Sequence, residues 1–241
     1  MTEPAEPAPP APRTDPVGVP SAPRRELGWL ELAIGAVAYV ALQLALFVAV
    51  GVLSQGTPPS PVLVAVSAAS AFGAVAIALS LQVRRPSAVG LVRPRPRTVA
   101  TGVGIGVVVW LLSRVLIVVY VAITGDTSDP QAALTLFSGP VAAALVVVIG
   151  GLLVPLGEEL LFRGLGYGVL RRLGRVVAVL LTAAIFALAH GLNVVFAAAF
   201  ALGVVNAVLY ERTGSIWPPA AAHATFNLIS FVLVLALGSQ V

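Results

Sequence analysis

The sequence contains no cysteine and no lysine, and only two histidines among its 241 residues. Without cysteine, disulfide bonds, thiolate catalysis and cysteine-ligated metal sites are all excluded. Charged residues make up only 10% of the chain and hydrophobic residues 59%, whereas a soluble domain is roughly 25% charged and 45–50% apolar. The mean hydropathy is +1.01. This composition excludes an ordinary soluble domain and predicts an integral membrane protein.

All fourteen basic residues are arginines, and with ten acidic residues they give a net charge of +4. Most of them stand at the ends of apolar segments, and the loops on the opposite side, including the acidic "TGDTSDPQ", contain no arginine. This is the positive-inside pattern of membrane proteins and not a nucleic-acid-binding stripe. It predicts a cytoplasmic N-terminus, and no nucleic-acid partner is expected. The arginine-rich link "RRPSAVGLVRPRPR" carries "VGLV", which we expect to lie along the membrane surface.

Apolar segments long enough to cross a core of about 30 Å recur along the chain. The fold class predicted from them is an all-α, polytopic membrane bundle of about seven transmembrane helices, with a catalytic core in the C-terminal four. An odd count places the C-terminus outside. The segments are 28–53, 61–83, 99–123, 139–163, 176–192, 194–211 and 216–237.

Three regions follow from this pattern. Residues 1–26 are rich in proline and poor in large apolar residues, which predicts a disordered cytoplasmic tail. Residues 27–138 hold the first three transmembrane helices and the arginine-rich cytoplasmic link. Residues 139–241 hold the remaining helices and almost all of the unusual polar residues.

Ionisable side chains inside spanning segments are costly and are functional candidates by default. Both histidines of the chain fall in this category, as do two adjacent glutamates. Arg114 has no acidic residue in its own helix, and its role is left open. The full set, with the amides of the same segments, is Arg114, Glu158, Glu159, Arg163, His190, Asn193, Asn206, His223 and Asn227.

Helical spacing separates the charges of the motif "PLGEELLFRG". Glu159 and Arg163 are four residues apart and share one helical face, whereas Glu158 is rotated by about 100°. We therefore expect Glu159 and Arg163 to form a buried structural pair, which leaves Glu158 free. Asn193 and Asn206 are interpreted as interhelical hydrogen-bonding residues.

Depth brings Glu158 level with the histidines. It lies about 21 Å from the arginines that end the fourth segment if that helix continues, and His190 lies about 22 Å into the returning helix. His223 lies about 16 Å from the arginine that precedes the seventh segment, with Asn227 one turn further on the same face. We expect a carboxylate, two imidazoles and an amide at a similar level of the bilayer.

Two kinds of chemistry fit this set. A buried glutamate can activate water for amide hydrolysis, with one histidine holding the water and the other histidine and the amide stabilising the oxyanion. Alternatively, Glu158, His190 and His223 supply the three-ligand set of a catalytic zinc site. The favoured interpretation is metal-free, because no His-Glu-x-x-His helix is present. No cofactor is expected beyond the zinc of the alternative.

The motifs "EELLFR" (158–163), "FALAH" (186–190) and "HATFN" (223–227) resemble, in order, the signature blocks of the CaaX-protease and bacteriocin-processing (CPBP) family of intramembrane proteases. The resemblance covers about residues 139–237. It implies an intramembrane endopeptidase related to type II CaaX prenyl proteases. In that family pattern Glu158 and His190 activate water, and His223 and Asn227 stabilise the oxyanion. Glu159 and Arg163 brace the site.

A non-catalytic membrane protein, such as an immunity or transport-like protein, is the alternative of a different class. Transport proteins commonly have repeated halves, and the sequence contains no such repeat. The expected partners are membrane lipid and a protein or peptide substrate, including lipidated or transmembrane ones. The expected location is a bacterial cell membrane.

Overall fold

The computed structural model of the chain describes residues 27–55, 58–81, 85–128, 132–135 and 138–237. The tail predicted for residues 1–26 lies outside the described residues. All regular secondary structure of the described residues is helical, so the predicted all-α class is confirmed.

Helices occupy all seven predicted segments. They are α1 (Trp29–Ser54), α2 (Ser60–Leu81), α3 (Pro96–Thr124), α4 (Pro140–Val148), α5 (Val154–Glu159), α6 (Gly168–Leu170), α7 (Arg175–Ala189), α8 (Phe196–Thr213) and α9 (Trp217–Leu237). The helices α4, α5 and α6 belong to one long fourth segment, residues 140–173. By length and composition, five units of the described residues can cross a membrane: α1, α2, α3, the fourth segment and α9. Helix α7 is apolar but shorter.

The fourth segment is helical to Leu173, but it is not a uniform α-helix. Two π-helical stretches, Ile149–Leu153 and Leu160–Tyr167, flank α5. Pro155 lies in the first turn of α5 and has no N–H to donate to the preceding turn. The turn before Pro155 is wider than an α-helical turn and accommodates the missing donor. In it the N–H of Val154 donates to the carbonyl of Ile149, five residues earlier. Such π-helical turns often mark functional sites.

Helix α3 packs directly against α9 through glycines. A side chain at Gly102 or Gly106 would meet the backbone carbonyls of Pro218 and Ala222 on α9. The two glycines stand four residues apart and are both buried, so they form the small-residue stripe that lets membrane helices approach closely. Gly104, between them, faces open space. This contact fixes the position of the first half of α9.

The arginine-rich link differs from the expected surface-lying segment. Pro86–Val89 forms a short 3₁₀ helix, and Val89 is fully buried. Its backbone lies against Gly164 of the fourth segment, and the carbonyl of Gly90 accepts a hydrogen bond from the N–H of Ile216 at 2.9 Å. The expectation is wrong for Val89, because a close glycine contact opens space for it in the interior. The link therefore joins the N-terminal helices to the fourth segment and to the start of α9.

The main core lies where the fourth segment meets α2, α7 and α8. Small residues of α2, among them Ala74 and Ala78, are fully buried there. Phe186 of α7 packs against Phe162 with ring centroids 5.2 Å apart. In contrast, α1 is largely exposed and packs mainly against α2. The motif "PLGEELLFRG", which contains both glutamates, thus lies in the main core of the molecule.

Candidate active site

Two adjacent glutamates at the end of α5 form the centre of the site. Glu158 is 8% exposed and Glu159 is completely buried. They lie between the two π-helical stretches, inside the membrane-spanning fourth segment. A buried carboxylate is tolerated only when donors compensate its charge, so the partners of each glutamate determine its role.

Three side chains approach one carboxylate oxygen of Glu159. Its Oε1 lies 3.0 Å from Arg163 Nη1, as the four-residue spacing predicts. The same oxygen accepts a hydrogen bond from Asn206 Nδ2 at 2.8 Å and lies 2.9 Å from His223 Nδ1. The expected structural pair is therefore part of a larger network that joins the fourth segment to α8 and α9.

Arg163 is fully buried and has further partners beyond the carboxylate. Its Nη2 donates to the carbonyl of Gly203 on α8 at 3.1 Å. Its guanidinium group also lies over the ring of Phe186, 4.7 Å from the centroid, a cation–π contact that compensates burial of the charge. These contacts fix Arg163 between α7 and α8.

His223 lies between the two glutamates. Its Nδ1 faces Glu159, and its Nε2 lies 3.7 Å from Glu158 Oε2. Since a carboxylate accepts hydrogen bonds, the short contact assigns the Nδ1 proton to the bond with Glu159. The ring therefore presents Nε2 to Glu158, as in the carboxylate–histidine pairs that set a tautomer.

His190 follows directly after the last residue of α7. Its Nδ1 lies 2.8 Å from the carbonyl of Phe186, one turn earlier. A carbonyl only accepts, so Nδ1 carries the proton and Nε2 is left as the basic nitrogen of a neutral ring. The ring packs on Phe186, with centroids 4.6 Å apart.

Phe186 connects the two histidines. Its ring lies 5.5 Å from that of His223, nearly perpendicular to it, while His190 packs at 4.6 Å. The structure thus brings Glu158 next to His223, and it places His190 against the same phenyl ring. Within the described part of the chain, no hydrogen bond or ion pair joins Glu158 directly to His190.

Asn227 lies one turn after His223 on α9 and satisfies a backbone group. Its Nδ2 donates to the carbonyl of Gly150 at 3.1 Å. In a π-helical ladder this carbonyl would bond to the N–H five residues later, but that residue is Pro155. Asn227 therefore supplies the donor that the proline lacks, and the second N–H of its amide is left for another acceptor.

Three further polar residues, none of them assigned to the site from the sequence, have contacts or burial that the structure reveals. Asn206 makes an interhelical hydrogen bond, as expected, but its acceptor is Glu159. In α1, the ring of Tyr39 lies edge-on to that of Phe162 in the fourth segment, with centroids 6.4 Å apart. One turn later, Gln43 Oε1 is buried with no hydrogen-bond partner among the described residues. The signal for both is a pair of polar residues four apart in an apolar helix.

Other polar residues lie apart from this network. Asn193 makes local bonds, donating to the carbonyl of His190 and accepting from the N–H of Val195, both at 2.8 Å. Arg114 donates to Ser113 and lies over the ring of Trp110, 5.0 Å from its centroid. Across the described ranges, no three His, Asp or Glu side chains are grouped in a way that could hold a metal ion.

A family model matches the part of the chain that contains this site. Residues 140–229 match the family model described as "Type II CAAX prenyl endopeptidase Rce1-like". The predicted family resemblance is confirmed. This Rce1-like segment contains Glu158, Glu159, His190 and His223 together with Asn227, whereas Tyr39 and Gln43 lie outside it.

A curated relative covers a similar stretch. The protein named "Putative membrane peptidase YdiL" from Bacillus subtilis (strain 168) is 31% identical to the chain over 97 residues, which are 40% of this chain and 39% of the relative. The chain thus matches about two fifths of the length of that relative. No solved structure matches the chain.

Proposed function

We propose that the chain is an intramembrane endopeptidase that hydrolyses a peptide bond of a membrane-associated protein or peptide, including lipidated or transmembrane ones. The observation that carries this proposal is the buried Glu158 carboxylate facing His223 at 3.7 Å within an Rce1-like segment. The descriptions of the matched family and of the relative both name peptidases. The proposed location is a bacterial cell membrane, with the N-terminus in the cytoplasm.

In the proposed mechanism Glu158 is the general base. Its carboxylate removes a proton from a water molecule, and the oxygen of that water attacks the carbonyl carbon of the scissile peptide bond. His190 accepts a hydrogen bond from the same water through Nε2, because its Nδ1 is bonded to Phe186. The protonated Glu158 then passes its proton to the leaving amine as the C–N bond breaks.

The tetrahedral intermediate carries a negative oxygen that needs donors. In this proposal His223 donates from Nε2, for which the ring must carry both protons because Nδ1–H is bonded to Glu159. Asn227 donates its second N–H while the first holds the Gly150 carbonyl. Glu159 and Arg163 act as positioning residues, since they fix His223 without facing the reacting atoms.

We propose that this reaction needs no metal ion. The zinc alternative would require Glu158, His190 and His223 to converge on one ion. Cleavage by the purified protein after exhaustive chelation would support the metal-free mechanism. Loss of cleavage that added zinc restores would overturn it.

Glu158→Gln is the direct test of the proposed function. The change keeps the shape of the side chain and removes the base, so peptide cleavage should fall by between about 100-fold and 10,000-fold. The measurement is comparative proteomics of membrane peptides from cells that express wild-type or variant protein, together with the amount of protein in the membrane.

Glu31→Gln is the matched control. It is the same chemical change in α1, where the carboxylate accepts a hydrogen bond from Gly28 N–H at 2.9 Å, away from the site. It should leave the peptide pattern unchanged. An identical peptide pattern for wild type and Glu158→Gln would favour a non-catalytic immunity or transport-like protein.

A further inference from the structure

A groove opens between α7 and α8 at the arginine-rich end of the bundle. Its volume is about 350 Å³, and it is open to the surroundings. The floor consists of four aliphatic side chains, Val176, Val179, Leu180 and Val208. The rim carries Arg175, Glu211 and Arg212. The groove lies apart from the candidate active site, which is at the other end of α7.

The charges around this groove leave an excess of positive charge. Both oxygens of Glu211 are occupied, with Arg171 Nε at 2.8 Å and Arg175 Nε at 2.6 Å. Tyr167 also donates to the same carboxylate at 2.6 Å. Arg171 and Arg175 thus share one acid, which leaves this end of the bundle with more positive than negative charge. Arg212 is exposed and makes no side-chain hydrogen bond or ion pair with any described residue.

The groove is charged at its rim and apolar along its floor. Val176 is 69% exposed and Leu180 is 48% exposed, and both follow Arg175 along the apolar helix α7 in the direction of His190. An occupant that satisfies both parts must join an anionic group to an apolar chain. A soluble anion would use the arginines but leave the aliphatic floor uncovered.

We propose that this groove binds one anionic phospholipid, with its phosphate on Arg175 and Arg212 and an acyl chain along the valine and leucine floor. Each arginine at the headgroup level raises the affinity for an anionic lipid about fivefold. A basic pocket between membrane helices is a physically suitable headgroup site. Binding there does not depend on the proposed peptidase activity, so Glu158→Gln should bind lipid as wild type does.

Native mass spectrometry of the full chain in detergent tests this site. We compare retention of added phosphatidylglycerol and phosphatidylcholine with the same acyl chains. The wild type should retain one phosphatidylglycerol with an affinity at least about fivefold higher than that for phosphatidylcholine. Equal retention of the two lipids would overturn the proposal, as would displacement of phosphatidylglycerol by inorganic phosphate alone or by an apolar peptide with a free C-terminal carboxylate.

Two variants and a control locate the binding. Arg212→Gln removes a cation that holds no described partner, and it should weaken phosphatidylglycerol binding about fivefold. Val208→Trp fills the floor without changing charge and should also reduce binding. Arg97→Gln removes an exposed arginine from the first turn of α3 and should leave binding unchanged. If Val208→Trp and Arg212→Gln both retain wild-type binding, the lipid lies elsewhere and the proposal fails.

Discussion

At the scale of single residues, one carboxylate oxygen organises the site. Glu159 Oε1 is approached by Arg163, Asn206 and His223, which come from three different helical segments. Charge-assisted hydrogen bonds of this kind are strong when buried. Loss of one donor therefore affects both the stability of the bundle and the orientation of His223.

Asn206 is the donor whose role can be tested most cleanly. Asn206→Ala should destabilise the protein by about 1–3 kcal/mol, because a buried acceptor loses a partner, and it should lower cleavage by freeing Glu159. Asn206→Asp should be worse than Asn206→Ala in both respects, since it places a second carboxylate beside Glu159. Thermal unfolding in detergent and the peptide-cleavage assay measure the two effects. If Asn206→Asp is as stable and as active as Asn206→Ala, or more so, this account is contradicted.

The pairing of Glu159 with Arg163 could be predicted because it depends only on helical spacing. The contacts of Glu159 with Asn206 and His223 could not, since residues 47 and 64 positions later must approach from other helices. Depth along the helices placed His223 near Glu158 but could not specify which ring nitrogen would face which carboxylate. That detail depends on the rotation of α9, which its packing against α3 determines.

At the scale of elements, Pro155 interrupts the helical hydrogen bonds of the fourth segment, and this interruption gives Asn227 a structural role. Pro155 removes a backbone donor, and Asn227 replaces it at the Gly150 carbonyl. The sequence showed the proline and the glycines that could bend this helix, but not the π-helical turns, because their formation depends on how the surrounding helices pack. The same amide can therefore serve the backbone and the proposed oxyanion site.

A double-mutant cycle tests the backbone role of Asn227. Asn227→Ala should destabilise the wild type by about 1–3 kcal/mol, because it leaves a buried carbonyl unpaired. In a Pro155→Ala background the cost should be smaller by about 1 kcal/mol, since a backbone N–H is restored. Equilibrium unfolding in detergent measures this coupling. Additive effects would show that Asn227 does not compensate for the proline.

The glycine stripe of α3 predicts a second effect at this scale. Gly106→Leu inserts a side chain where the Ala222 carbonyl lies, next to His223. It should push α9 away, destabilise the bundle by about 1–3 kcal/mol and reduce cleavage about 100-fold through misplacement of His223. Gly104→Leu is the matched control, because nothing lies within 4 Å of the added carbon. Similar behaviour of the two variants would exclude the proposed contact.

At the scale of the whole molecule, the helices outside the Rce1-like segment help to build the site. Helix α2 packs on α5, α3 packs on α9, and Tyr39 of α1 packs edge-on against Phe162 of the fourth segment. The sequence predicted these helices as apolar segments only. The small residues at the contacts between these helices form no sequence motif that predicts which helix packs against which. The contribution of these helices to the site is therefore evident only in the packed bundle.

The orientation of the molecule can be tested directly because the chain has no cysteine. Ser87→Cys marks the arginine-rich link, and Ser128→Cys marks the acidic connection after α3; both positions are exposed. With a cytoplasmic N-terminus, a membrane-impermeant maleimide should label Ser128→Cys in intact cells and Ser87→Cys only after lysis. The opposite pattern would reverse the proposed topology.

The placement of charges in the fourth segment also affects how the chain enters a membrane during synthesis. Residues 140–157 provide eighteen uncharged positions before Glu158, close to the roughly 20 residues that a spanning helix needs. As this segment inserts, Glu159 has Arg163 in its own helix, whereas Asn206 and His223 have not yet been made. If synthesis stops before α8, the carboxylate of Glu159 has Arg163 as a partner but lacks Asn206 and His223. Synthesis of α8 and α9 therefore contributes to retaining the fourth segment in the bilayer.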